Sequence, residues 1–153
     1  MGLIRFPKNK SKQTLYLEVD GAMLPTRQEG EKGTVYKENK HGIAFSTDNI
    51  YWWKDKHGDR QHRIMKKEFT SLIGDSNFFS KFMFLMAIKN GYGRYQNTVL
   101  ISDGATWIRN MKEFIFPDAQ QILDYYHLKE HVTDYYKIIY EHNEKNTLKF
   151  QRL

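Results

Sequence analysis

The chain has no cysteine, which excludes disulfides and thiolate metal sites and is compatible with a reducing compartment. It has 3 prolines in 153 residues, too few for a proline-rich linker. It has no long apolar run: the longest, Phe82 to Ile88, is far too short for a membrane span of about 20 residues. The start, Met1 to Lys12, mixes Arg5 with three lysines and lacks the apolar stretch of a secretory signal. These absences lead to the expectation of a soluble, intracellular protein with no membrane partner.

What is present is enough apolar and aromatic material for one core, 40% and 15% of residues respectively. The formal charge of +6 favours a polyanionic partner, nucleic acid or an anionic membrane surface.

Thr14–Asp20 alternates, with Leu15, Leu17 and Val19 on one side and Tyr16, Glu18 and Asp20 on the other, so it reads as a strand closed by Gly21. Pro25–Lys40 is polar and reads as loop, His41–Ser46 as a second strand and Gln61–Ile73 as a third. Between the last two lie Tyr51, Trp52 and Trp53 and the turn His57-Gly58-Asp59. A helix is predicted over Asn77–Asn90, capped by Asp75 or Ser76 and ended by Gly91. Its apolar residues cover almost every face, which predicts deep burial. Thr98–Ser102 reads as a strand ending in Asp103-Gly104, Ala105 to Phe116 as a helix stopped by Pro117, and Ala119–Leu123 as a strand. A last helix is predicted from Tyr125 to about His142, with Leu128, Val132, Tyr135, Tyr136 and Ile139 on its apolar side.

The resulting order, β-β-β-α-β-α-β-α, predicts an α/β domain. Its antiparallel meander is followed by strands that need crossovers and parallel pairing. That is a ribonuclease H-like, retroviral-integrase-type mixed sheet. The domain is expected over residues 14–142, after a basic segment 1–13 and before a tail 143–153.

One tripeptide, Asp-Gly-Ala, closes two of these strands, at Asp20 and at Asp103. If the strands are parallel neighbours about 4.8 Å apart, both carboxylates reach one sheet edge and can share a divalent cation. The competing reading is that Asp-Gly simply makes turns. Glu18 shares a face with Asp20 as a further oxygen donor or as a solvated side chain. Arg27, Trp52, Trp53, Lys66 and Lys67 are candidate DNA contacts, against the alternative of an aromatic loop packed on the sheet and a solvated basic face. His127-Leu-Lys-Glu130-His131 also fits the H-x-x-E-H pattern of a zinc protease, a short pattern that arises by chance on helices.

The segments Tyr16–Pro25 (YLEVDGAMLP), His62–Glu68 (HRIMKKE), Val99–Asn110 (VLISDGATWIRN) and Phe116–Leu128 (FPDAQQILDYYHL) together resemble bacterial insertion-sequence transposases of the ISLre type, relatives of the Mutator-like elements. The resemblance spans about Leu15 to Val132. It implies a ribonuclease H-like catalytic core that cleaves and joins DNA with Mg²⁺ or Mn²⁺, Asp20 as the first catalytic acid and metal ligand, and Asp103 as the second. It also implies an accessory Asp124-x-x-His127 signature. The partners implied are transposon ends and target DNA, with self-association or a full-length transposase, in a bacterial cytoplasm at the nucleoid. The third acid, a glutamate, is expected downstream of Leu153; Glu130, Glu141 and Glu144 do not match its position. The expected behaviour is therefore a core that is inactive by itself. Alternatives are a DNA- or transposase-binding regulatory remnant, and a stand-alone ribonuclease H-like nuclease with Glu18 completing the site.

Overall fold

A computed structural model describes residues 11–27 and 33–140. Most of the basic segment 1–13, the tail 143–153, and Glu141, His142 and Glu144 lie outside the described residues.

Among the described residues the chain is mixed α/β: a five-stranded mixed sheet, a separate two-stranded hairpin and three α-helices. In order these are β1 (Ser11–Thr26), β2 (Val35–Ser46), β3 (Ile50–Lys54), β4 (Arg60–Ile64), β5 (Glu68–Ile73), α1 (Ser76–Lys89), β6 (Tyr95–Ser102), α2 (Thr106–Ile115), β7 (Gln120–Leu123) and α3 (Tyr125–Tyr140). The large sheet runs β5-β2-β1-β6-β7. β1 pairs antiparallel with β2, β2 antiparallel with β5, and β1 parallel with β6. Two compact units are distinguished, one ending at Ile122 and one beginning at Leu123 that contains α3.

Strand alternation decides which face of the sheet is dry. Leu15, Leu17 and Val19 of β1, Ala44 of β2 and Leu100 of β6 are buried on one face. Over them lie Phe79, Met83 and Ala87 of α1 and Ile108 and Met111 of α2, forming one apolar cluster. Gly42 on β2 lets α1 approach: a Cβ there would meet the Met83 sulfur at 2.5 Å. The Asp75 carboxylate caps α1 by accepting from the Phe78 N–H at 3.0 Å. Gly91, at φ 107°, turns the chain out of that helix.

The structure corrects several expectations. β1 does not end at Gly21; it continues to Thr26, and residues 35–40 of the expected loop are strand, because Gly21 to Thr26 pair with Lys40 to Val35 in a long hairpin. The expected third strand is two, β4 and β5, broken at Met65–Lys67. The aromatic segment is not a loop on the sheet; it forms β3, paired with β4 in its own two-stranded sheet. Finally, α1 is not buried all round. Phe79, Met83, Met86 and Ala87 are buried, while Phe78, Phe82 and Leu85 lie exposed on its outer side, since only one face of α1 meets the sheet.

Among the described residues no helix is long and apolar enough to cross a membrane.

Candidate functional site

The site begins where β6 leaves β1. Their parallel register runs from Leu15 beside Thr98 to Val19 beside Ser102. One further step places Asp20 beside Asp103. Side chains alternate along strands, so Asp20 projects from the face opposite to buried Val19, while Asp103 follows buried Ser102 just past the last residue of β6. That face also carries Glu18, two residues before Asp20, next to Ile101 and across from Ile43.

The two Asp-Gly-Ala segments do different work. At Asp103 the strand stops: Gly104 takes φ 84°, a left-handed conformation natural to glycine, and the Asp103 Oδ1 accepts the Ala105 N–H at 2.9 Å. This Asx turn delivers the chain into α2, whose cap residue Ala105 has no side-chain bond of its own to offer. Buried Ser102 steadies the turn, its hydroxyl accepting from the Gln121 amide on β7 at 3.0 Å. At Asp20 the strand continues instead. The Asp20 Oδ1 accepts the Gly21 N–H at 2.7 Å. Gly21 serves close approach rather than a turn, because a Cβ there would sit 2.5 Å from the Glu38 Oε1.

Glu38 is part of a polar brace on the helix-covered face, beneath the aspartates. Its Oε1 accepts from the Trp107 indole N–H at 3.1 Å and its Oε2 from the Lys40 ammonium at 2.6 Å. Lys40 is buried, donates also to the Gly74 carbonyl at 3.0 Å, and lies 5.4 Å from the centre of the Trp107 ring. The brace therefore ties β2 to the first turn of α2, the segment that directly follows Asp103.

The residues sequence reasoning missed are His41, Glu38, Lys40 and Trp107. His41 stands opposite Asp20 on β2, with its Nε2 3.5 Å from the Asp20 Oδ2. The only signal that could have found it is the hairpin register, which cannot be fixed without locating the turn between β1 and β2.

Asp124 and His127 belong to the second unit. Asp124 is the helix cap of α3: its Oδ1 accepts the N–H groups of Tyr126 at 2.9 Å and His127 at 3.2 Å, and lies 3.2 Å from the His127 Nδ1. The His127 N–H holds the Asp124 carboxyl below its ordinary range; burial opposes it, and the His127 ring and the Tyr126 N–H add to the lowering. Among the described residues no three His, Asp or Glu side chains gather closely enough to hold a metal by themselves, which gives no support to a zinc site at His127, Glu130 and His131.

Of the candidate DNA contacts, Trp52 and Trp53 are on β3, exposed. Lys66 and Lys67 are exposed between β4 and β5, with the Lys67 ammonium 5.2 Å from the Phe69 ring centre. Arg27 is exposed just beyond β1.

Comparison with family models, with curated proteins and with solved structures gives no match to this chain.

Proposed function

We propose that this chain contributes to a ribonuclease H-like catalytic core of an ISLre-type DDE transposase, which cleaves DNA and joins its strands using a divalent cation. The observation that supports this reading is the parallel β1–β6 register, whose last pair, Val19 beside Ser102, is followed by Asp20 within β1 and by Asp103 at the carboxyl end of β6. Crevices at such strand ends are where α/β sheets bind their ligands. Counted along the five-stranded sheet alone, the strand order is third, second, first, fourth, fifth, with an antiparallel meander on one side of β1 and a parallel neighbour on the other. This is the arrangement expected for the fold and supports the reading.

The donor set fits Mg²⁺ or Mn²⁺ in part. Both candidate ligands are carboxylates, the hard oxygen donors these cations take. Each commits one oxygen to a backbone N–H, of Gly21 or of Ala105, which fixes the carboxylate's orientation. Water and substrate phosphate oxygens complete such sites. When bound, the cation supplies charge stabilisation at the oxygens that attack and leave phosphorus. The chain's own part is positional: the β1–β6 ladder sets the spacing of Asp20 and Asp103, the Gly104 turn aims Asp103, and the Glu38–Trp107 brace fixes the start of α2. Asp20 and Asp103 alone make an incomplete ligand set, in line with a third acid supplied from elsewhere.

The test is Mn²⁺ binding followed by paramagnetic broadening of backbone signals. Broadening centred on residues 18–22 and 102–105, weak in affinity and lost in both Asp20→Asn and Asp103→Asn, is expected. Equal binding by wild type and both variants would place the metal elsewhere and remove the proposal.

A further inference from the structure

We propose that the β3–β4 hairpin is a separate DNA contact that takes unpaired nucleotides on its Tyr51–Trp53 face. This rests on the DNA-processing reading above and adds to it a site of its own.

Among the described residues the hairpin forms a sheet by itself. Its three large rings are displayed rather than stored: Tyr51 is 60% exposed, Trp52 46% and Trp53 39%. A lone two-stranded ribbon is marginally stable in water, so rings left exposed on it are not explained by core packing.

The register separates the two faces. On one, Trp52 lies opposite His62, with ring centres 4.8 Å apart, and the Arg60 guanidinium sits 4.3 Å from the Trp52 ring centre. On that face the Trp52 ring already meets His62 and a guanidinium. On the other, the Tyr51 and Trp53 rings are nearly parallel, 22° apart with centres at 5.9 Å, and Arg63 stands across from Tyr51. Residues two apart on a strand repeat at about 6.8 Å, close to two nucleotide steps of about 3.4 Å along one DNA strand. A run of bases can therefore meet both rings in sequence.

The charge is complementary to DNA. The hairpin carries Lys54, Lys56, Arg60 and Arg63 against Asp55 and Asp59, and Lys66 and Lys67 follow directly. Asp55 is turned into the tip, where its carboxylate accepts from the N–H groups of His57 and Asp59 and from the Gln61 amide. Duplex DNA keeps its base faces stacked and needs only cations, whereas exposed flat rings flanked by cations suit splayed bases, which stack on any aromatic. On the Tyr51–Trp53 face itself the cation is Arg63, across from Tyr51, while Lys54 and Arg60 lie on the Trp52 face.

The experiment uses the full chain and three probes: a ten-nucleotide deoxythymidine oligomer, a duplex of the same length, and vesicles rich in phosphatidylserine. Tyr51→Ala and Trp53→Ala are each expected to weaken single-strand binding about tenfold, and duplex binding far less. In the wild type, an oligomer carrying 5-iodouracil is expected to photocross-link within residues 50–64, a readout that does not depend on any variant folding. Cross-links confined to other segments, unchanged single-strand affinity in the folded double variant, or vesicle binding with no oligomer binding would each overturn the proposal. DNA binding that ignores the hairpin leaves the transposase reading standing and sinks only this one. A wild type that binds no DNA even at low salt sinks both.

Discussion

Glu38 and Trp107, on β2 and on the first turn of α2, are joined by a 3.1 Å hydrogen bond from the indole N–H to the Glu38 Oε1. The same carboxylate holds buried Lys40, so removing it leaves an ammonium in the core with, among the described residues, only the Gly74 carbonyl as a close acceptor. Glu38→Ala is expected to cost about 2 kcal/mol in urea unfolding, below the range for fully buried pairs because the Glu38 side chain is 36% exposed. Glu38→Gln should recover part of that loss by keeping an acceptor for Trp107. Equal stability of Glu38→Ala and wild type would show that the brace is energetically idle.

Gly104 sits at φ 84°, where any side chain is strained. Gly104→Ala is expected to destabilise by about 1 kcal/mol and to weaken Mn²⁺ binding, because the turn that aims Asp103 must open. An Ala variant that loses stability but keeps its Mn²⁺ affinity would separate the turn from the metal site.

Phe79 is fully buried beneath the sheet and packs edge-on against Trp107 with ring centres 5.8 Å apart. Phe79→Ala is expected to cost about 3–5 kcal/mol, the range for deleting a buried aromatic ring. Phe78→Ala, one position earlier on the exposed side of α1, should cost far less. Similar losses for the two would mean that α1 buries a different face.

Asp124 has its carboxyl held below the ordinary aspartate range, first by the His127 N–H. The folded value lies below the unfolded one, so the cap's contribution is complete above the unfolded value and is lost as pH falls through the folded one. The carboxyl carbon of Asp124 should therefore titrate below that of a free aspartate. The His127 amide should lose hydrogen-exchange protection in Asp124→Ala, at a cost of about 1 kcal/mol to the helix, but keep most of it in Asp124→Asn. A normal titration with protection unchanged in the Ala variant would remove the cap.

DNA binding in the proposed mode is largely electrostatic. Its affinity should fall steeply with salt, as bound counterions are released, with a slope that lessens when Lys66 and Lys67 are both changed to Ala. Affinity indifferent to salt would exclude that mode.

The sequence by itself determined what local chemistry controls. The alternation of Leu15, Leu17 and Val19 marked the strand and its buried face, and Asp75 and Gly91 bounded α1, since a cap and a left-handed exit act within a few residues. The repeated strand-Asp-Gly-Ala pattern singled out Asp20 and Asp103. What only the tertiary structure decided is whatever depends on a distant partner. Gly21 reads as a strand end until the β1–β2 hairpin carries the backbone on to Thr26, and the same pairing sets His41 against Asp20. The outer side of α1 is apolar in sequence yet exposed, because only its inner face meets the sheet. Tyr51, Trp52 and Trp53 read equally as DNA contacts or as a loop packed on the sheet until β3 is seen to pair only with β4 among the described residues. Hydrogen-bond register and helix orientation are fixed by partners far along the chain, and no window of a few residues contains them.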